Sequence, residues 1–268
     1  MDINEKAARG MPALFFGHGS PMNAIEKNFF TAGFERIARD LPLPKAVLCI
    51  SAHWETNGTY VTAMDRPETI HDFGGFPLSL YRFQYPAPGD GGLAERVRNI
   101  IHSTDVKLNY DWGLDHGCWV VMKYLYPKAD IPVVELSIDG TKPVAWHYAL
   151  AKELAVLRTE GVLVIGSGNI VHNLQKIDWE HIEDAGFGYD WAGDFNEKIK
   201  KLILKGDHNQ IVNIEKTDSN YHNAVPTPEH FLPLIYILAL QREEDKPTFF
   251  NDSLVGGSLS MTSLMLNP

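Results

Sequence analysis

The chain has 268 residues, of which 44% are hydrophobic and 22% charged, a composition that excludes a disordered or collagen-like protein. Asp and Glu total 34 against 24 Lys and Arg, so the formal net charge is -10. We therefore expect neither a nucleic acid nor a membrane as partner, because both surfaces are anionic. Two cysteines exclude a disulfide framework, and the N-terminus lacks a signal-peptide pattern, so we expect a cytoplasmic protein.

Short β-branched runs alternate along the chain with segments whose apolar residues recur every three or four positions, and these patterns predict buried strands and helices respectively. In chain order we predict strand 12–16, helix 24–40, strands 46–51 and 60–64, helices 92–103 and 118–125, strand 132–137, helix 144–157, strand 162–165, and helices 191–204 and 229–239. This order predicts a single layered α/β domain over residues 1–268, with a central, mostly parallel sheet and helices on both faces. The loop-rich stretches 65–90 and 174–190 are predicted to be active-site loops.

Three of the predicted strands lead to a histidine. His18 follows ALFFG, His53 follows AVLCISA, and His172 comes one short turn after VLVIG. Because the carboxyl ends of parallel strands lie along one edge of a sheet, we expect these imidazoles to converge. A metal site is favoured over three unrelated, hydrogen-bonded histidines.

Two further histidines precede apolar helices, His116 in GLDHGCW and His230 in PTPEHFLPL. A carboxylate stands immediately before each of them. Asp115 could orient the His116 ring or cap the following helix, and Glu229 could face a metal or cap its own helix. The pattern alone leaves these alternatives open.

Histidine-rich sites without cysteine suit Fe(II) or Zn(II) better than Ca²⁺ or Mg²⁺, which prefer oxygen ligands. No G-x-G-x-x-G follows a predicted strand, and the chain contains neither a P-loop nor a G-x-S-x-G motif. Nucleotide cofactors and covalent serine catalysis are therefore not expected.

Seven motifs together resemble those of the class III extradiol ring-cleavage dioxygenases of the DOPA 4,5-dioxygenase branch. They occur in that family's order, and the resemblance extends from residue 11 to the GGSLSMTSL run that ends at residue 264. The motifs are HGSP (18–21), SAHW (51–54), DFGGFP (72–77), YPAPG (85–89), LDHGCW (114–119), GSGNIVHN (166–173) and TPEHFLPL (227–234).

The resemblance implies one non-haem metal, with Fe(II) as the catalytic ion and Zn(II) able to occupy the same site. His18, His53 and His230 match the metal-binding positions. His172 matches a histidine that can reach the metal and that also serves as acid or base. The resemblance does not settle whether Glu229 or His230 faces the metal, and we favour His230.

The resemblance further implies that the substrates are a small aromatic diol and O2, and that the product is a ring-opened semialdehyde. We expect His172 to exchange protons with the substrate. His116 would hydrogen-bond the bound oxygen or a substrate hydroxyl, and Phe73 and Phe76 would pack against the ring.

Two other functions fit the same residues. Zinc on a cluster of neutral histidines would acidify a bound water, which suits a hydrolase. A non-catalytic binding protein could keep the fold and its pocket.

Overall fold

The computed structural model describes residues 10–182 and 184–268. The strands of this part are β1 (Ala13–Gly17), β2 (Ala46–Ser51), β3 (Glu55–Thr56), β4 (Thr59–Thr62), β5 (Val106–Asn109), β6 (Val133–Glu135), β7 (Ile138–Asp139), β8 (Val162–Gly168), β9 (Lys246–Phe250), β10 (Leu254–Val255), β11 (Leu259–Ser260) and β12 (Ser263–Asn267).

The α-helices of the same part are α1 (Phe29–Ala38), α2 (Leu78–Tyr81), α3 (Gly91–Ile100), α4 (His116–Leu125), α5 (Val144–Glu153), α6 (Leu157–Glu160), α7 (Asp190–Leu204), α8 (His208–Val212), α9 (Ile214–Thr217), α10 (Tyr221–Ala224) and α11 (Leu232–Ala239). Short 3₁₀ turns occur at Pro21–Ala24, Leu154–Val156, Leu174–Lys176, Trp179–His181 and Pro228–His230. None of the helices in the described ranges has the length and apolar composition needed to cross a membrane.

The central sheet has six strands in the order β6-β2-β8-β1-β12-β9. The first four run parallel to one another, whereas β12 is antiparallel to β1 and β9 is antiparallel to β12. The predicted α/β fold with a mostly parallel sheet is therefore confirmed. The two antiparallel strands near the C-terminus were not among the predicted elements.

The predicted strand at residues 60–64 was wrongly placed in the central sheet. The chain forms β4 there, but β4 pairs in parallel with β5 as a separate two-stranded sheet. A lone bridge from Val61 to Leu136 connects β4 with the segment that follows β6. Periodicity identifies a strand but not the partner with which it pairs.

The buried strands present alternate side chains to two separate hydrophobic layers, as strand geometry requires. Phe15 and Leu48 belong to the layer that also contains residues of α5, α7 and α11. Phe16 and Val47 belong to the opposite layer, which contains residues of α1 and α4. Helices therefore cover both faces of the sheet, as predicted.

Several helices begin or end away from their predicted limits because of local capping. The predicted helix 24–40 is divided, since the Asn28 side chain accepts hydrogen bonds from the backbone of Phe30 and Thr31 and starts α1 there. The predicted helix 229–239 begins as a 3₁₀ turn, and Pro233 lies in the first turn of α11.

Three adjacent parallel strands, β2, β8 and β1, end at the same edge of the sheet. His53 follows β2, His172 follows β8 and His18 follows β1. Gly168, the last residue of β8, lets the backbone pass close to His230, since a Cβ at this position would lie 2.2 Å from the His230 carbonyl oxygen. The fold thus brings His230 to the edge at which the three strands end.

Candidate metal centre and active site

His18 and His53 face each other across the end of the sheet, with their Nε2 atoms 3.1 Å apart. The Ser167 hydroxyl donates its one proton to the Gly117 carbonyl at 2.6 Å, so it can only accept from His18 Nδ1 at 2.9 Å. His18 therefore carries its proton on Nδ1 and directs a free Nε2 lone pair toward His53. The predicted convergence of these two distant histidines is present in the structure.

His230 has a similar arrangement. Its Nδ1 donates to Glu229 Oε1 at 3.0 Å, and Thr227 donates to the same oxygen at 2.9 Å. Burial alone would raise the pKa of Glu229, but these hydrogen bonds and the His230 charge lower it to about 2. His230 Nε2 is buried, and no described residue hydrogen-bonds to it. Glu229 thus orients the ring, and His230 provides the unpaired nitrogen.

The ring nitrogens of His18, His53 and His230 that could bind an ion all lie within 4.8 Å of one another. Two nitrogens sharing one zinc ion at about 2.0–2.1 Å lie about 3.3 Å apart, close to the spacing of the His18 and His53 Nε2 atoms. Converging lone pairs and a buried nitrogen without a partner are unfavourable unless a cation binds between them. The donor set therefore fits a divalent transition metal.

The histidine cluster is neutral in the folded protein. Burial lowers the pKa of His18 and of His53 well below the ordinary value, and the adjacent imidazoles lower it further. Burial also lowers the pKa of His230, against the opposing effect of Glu229. Neutral imidazole is the form that binds a metal.

His172 lies face to face with His230, with ring centroids 3.5 Å apart and planes within 6° of parallel. A ring nitrogen's lone pair lies in the plane of its own ring, so two stacked parallel rings do not direct lone pairs at one point. Burial and the His230 charge lower the pKa of His172 to about 3. His172 is therefore a neutral imidazole beside the three-histidine cluster.

Asp72 connects two histidines of the site. Its Oδ1 accepts from the His116 backbone at 2.9 Å, and its Oδ2 accepts from His116 Nδ1 at 2.8 Å. The same Oδ2 lies 3.4 Å from His53 Nδ1. Burial opposes ionisation of Asp72, but the hydrogen bonds from His116 lower its pKa. This carboxylate orients His116 and also adjoins the outer nitrogen of His53.

Phe73 follows Asp72 and packs edge-on against His116, with ring centroids 5.5 Å apart. Phe76 packs against Phe73 at 5.2 Å, and Tyr81 lies at 5.3 Å on another side. Gly74 and Gly75 between the phenylalanines have open space around them. The loop thus places a cluster of aromatic rings beside His116.

Comparison with known proteins identifies the family. The family described as the catalytic LigB subunit of aromatic ring-opening dioxygenase matches residues 12–262. The chain belongs to this family. A 4,5-DOPA dioxygenase extradiol of Escherichia coli (strain K12) is 46% identical over 96% of this chain and 94% of its own length. The protein of the same name from Beta vulgaris is 38% identical over 93% of this chain and 94% of its own length.

A solved structure supports the same assignment. The crystal structure of an uncharacterized protein from Escherichia coli K12 superimposes with a TM-score of 0.83 at 40% identity, covering 96% of this chain and 99% of that one. The α/β fold and the resemblance seen in the motifs are both confirmed, and the chain is an extradiol ring-cleavage dioxygenase.

Sequence reasoning missed Asp72 and left the role of Asp115 open. The structure shows that Asp115 caps α4 through the Cys118 backbone at 3.1 Å, whereas Asp72 orients the His116 ring. A carboxylate directly before Phe73 in a Gly-rich loop was the available signal for Asp72. It could not be interpreted, because 44 residues separate Asp72 from its partner His116.

We predict that Asp72→Asn weakens metal binding by about 10–100-fold, since Asp72 adjoins the outer nitrogen of His53 and a carboxylate beside a metal-binding histidine typically has an effect of this size. Asparagine keeps an oxygen for the His116 backbone but loses the charge beside His53. Metal affinity can be measured by competition with a chelator. Asp65→Asn, on an exposed position just before the same loop, is the matched control, and an unchanged affinity in Asp72→Asn would contradict the assignment.

The metal-free protein should become less stable as the pH falls below about 6.5. The unfolded chain then takes up protons that the four buried histidines of the folded site cannot accept, because their folded-state pKa values are lowered. Each such group lowers the free energy of unfolding by up to about 1.4 kcal/mol per pH unit. Urea denaturation at pH 7.5 and 5.5 measures this, and equal stabilities at both values would refute the prediction.

Proposed function

We propose that the protein uses Fe(II), held by His18, His53 and His230, to open the ring of a DOPA-like catechol with O2 as co-substrate. The observation that carries this proposal is the convergence of three neutral imidazoles, two of which have their outer nitrogens adjacent to a carboxylate. We further propose that residues 1–268 form one catalytic domain that works in the cytoplasm, where the two buried cysteines would remain thiols.

The catechol class follows from the named relatives, because proteins at 46% and 38% identity carry the name 4,5-DOPA dioxygenase extradiol. Fe(II) is preferred over Zn(II) because ring opening by O2 is an oxidation and zinc has no redox chemistry. When bound, the iron would hold the diol and O2 next to each other and pass electrons from the diol, which is oxidised, to O2, which is reduced. Zn(II) fits the same nitrogens and should compete for them.

His172 is assigned as the acid and base. Its pKa of about 3 leaves a neutral ring that can accept a proton from a catechol hydroxyl as the substrate binds. Returning a proton later in the reaction restores the neutral ring. The semialdehyde product contains all the atoms of the catechol and of O2, so His172 gains no net proton over one turnover.

His116 is assigned to hydrogen bonding with the substrate. Asp72 accepts from its Nδ1, so its Nε2 is free to accept from a catechol hydroxyl. Phe73 lies against this ring and, with Phe76, gives the catechol an aromatic surface.

We predict that His116→Ala lowers kcat/KM by about 100-fold, the lower end of what one hydrogen bond to a reacting group contributes. Metal content should remain within about twofold of wild type, because His116 lies outside the three-histidine cluster. Steady-state oxygen uptake and metal analysis measure the two quantities. Unchanged turnover would remove His116 from the mechanism.

The deciding experiment is anaerobic reconstitution with Fe(II), addition of a DOPA-like catechol, and exposure to air. We expect oxygen uptake of one O2 per catechol and a yellow ring-opened product, with no product from the Zn(II)-loaded protein. Ester hydrolysis by the Zn(II) form together with an inactive Fe(II) form would favour a hydrolase instead. Inactivity of both forms, with catechol still bound, would indicate a non-catalytic binding protein.

A further inference from the structure

Two fully buried carboxyl groups, Asp115 and Glu135, lie beneath the active site and take no part in the proposed reaction. Asp115 precedes α4, and Glu135 ends β6. Glu135 Oε1 accepts from the Asp115 backbone at 3.1 Å, and Asp115 Oδ1 accepts from the Ser51 hydroxyl at 2.7 Å. Buried acids of this kind are rare unless they are paired.

The other oxygen of each group, Asp115 Oδ2 and Glu135 Oε2, receives no hydrogen bond from a described donor. The two groups adjoin each other, because the Asp115 backbone donates to Glu135 Oε1 at 3.1 Å. Two adjoining, fully buried carboxylates are strongly unfavourable when both are charged, whereas one shared proton supplies a donor to an oxygen that lacks one. Burial raises the pKa of both groups, which favours a proton on the pair.

Short chains of hydrogen bonds connect the pair to the segments that carry His18, His53 and His116. The Ser51 hydroxyl that donates to Asp115 also accepts from the His53 backbone at 3.3 Å. Asp115 caps α4, whose first residue is His116. The next residue, Gly117, accepts from Ser167, to which His18 donates.

The packing at this point leaves little freedom. A Cβ on Gly117 would lie 2.5 Å from Ser51 Oγ and 2.9 Å from His53 Cδ2, so the start of α4 is pressed against the end of β2. A small shift of Asp115 would therefore move both elements. Metal-binding groups tolerate displacements of only about 0.5 Å.

We propose that Asp115 and Glu135 form a positioning unit, in which one shared proton joins the two carboxyl groups and fixes the histidines of the site relative to one another. The proposal rests on the proposed function only for its activity readout. Metal affinity tests it separately, because that quantity does not depend on ring cleavage.

Three variants test the proposal. Glu135→Gln keeps an acceptor for the Asp115 backbone and a donor toward its side chain, without a proton to lose. Glu135→Leu removes both. Ser51→Ala leaves the pair intact but removes its connection to His53. Asp245→Asn is the control, because it breaks a buried pair with Arg158 next to Met11, at the opposite end of β1 from His18.

We expect Glu135→Gln to retain Fe(II) affinity and kcat within about threefold, and Glu135→Leu and Ser51→Ala to lose about 10–100-fold in Fe(II) affinity, the range for groups that orient metal ligands. Their kcat per bound iron should also fall, while KM for the catechol changes little. Asp245→Asn should lower the melting temperature, but the Fe(II) affinity and the kcat per bound iron of the folded molecules should stay unchanged.

The proposal is overturned if Glu135→Leu and Ser51→Ala behave like Asp245→Asn, with lower melting temperatures and wild-type metal affinity. It is also overturned if Glu135→Gln loses as much affinity as Glu135→Leu, since the shared hydrogen bond would then not be the cause. If Glu135→Leu does not fold, Ser51→Ala alone decides the outcome. A wild-type protein that binds iron but cleaves no catechol would instead contradict the proposed function and leave the affinity comparison valid.

Discussion

Replacing His18 with alanine should lower the affinity for Fe(II) by at least about 100-fold and abolish ring cleavage. Groups that merely orient a metal-binding histidine contribute about 10–100-fold to affinity, so loss of a ligand should have at least that effect. His18 is buried, and its Nε2 lies 3.1 Å from His53 Nε2. Its removal leaves two nitrogens of the cluster and an open side.

The size of the expected loss follows from how the ring is held. Ser167 accepts from His18 Nδ1 and so fixes the tautomer that offers Nε2 to the metal. No rotation or proton transfer is needed before the ion binds. Because the His18 ring is already held in the metal-binding orientation, little of its binding free energy is lost in ordering the side chain.

Fe(II) affinity of the His18→Ala protein is measured anaerobically by chelator competition, and metal content by elemental analysis. The melting temperature gives a second measure, since a ligand that binds only the folded state raises it. Fe(II) should raise the melting temperature of wild type but not of His18→Ala. His208→Ala is the matched control, because His208 bonds to Tyr148 and Gln241 and is absent from the possible metal-binding groups.

Wild-type affinity in His18→Ala would remove His18 from the ligand set and, with it, the three-histidine site. Should His18→Ala fail to fold, His18→Gln preserves most of the volume without an imidazole. The same loss of affinity is expected for that variant.

The edge at which the histidines converge was predictable because each arrives on a local pattern. A buried parallel strand followed within a short turn by a histidine specifies both the element and the end at which the side chain lies. The periodicity of β1, β2 and β8 was therefore enough to bring His18, His53 and His172 to one edge. The relative placement of their rings depends on side-chain packing, which periodicity does not encode.

The parts that sequence reasoning missed depend on pairing at long range. β12 pairs antiparallel with β1, and β9 pairs antiparallel with β12, and the alternation of strands and helices along the chain does not predict either pairing. The roles of Asp72 and Glu135 each depend on a hydrogen-bond partner in another part of the chain. The choice between Glu229 and His230 likewise required coordinates, because adjacent residues on a short turn differ only in the direction of their side chains.

His172→Ala is expected to lower kcat by at least about 100-fold while Fe(II) affinity stays within about threefold of wild type. Positioned acids and bases contribute about 10²–10⁴-fold to rate. The parallel stacking of His172 on His230 is what separates the two effects, since the in-plane lone pairs of two stacked rings do not point at one ion and, among the described residues, His172 is not grouped with His18 and His53. His222→Ala, an exposed position on α10, is the matched control.

Single-turnover measurements on the iron-loaded protein make the test sharper. Catechol binding followed anaerobically should show slower loss of the hydroxyl proton in His172→Ala, whereas the number of catechol molecules bound per iron should stay the same. A fall in Fe(II) affinity as large as that of His18→Ala would instead make His172 a fourth ligand, which requires its ring to leave the stack. Full turnover with normal metal content would assign the proton transfer to another group, and His116 is the candidate, since its ring centroid lies 3.8 Å from that of His53.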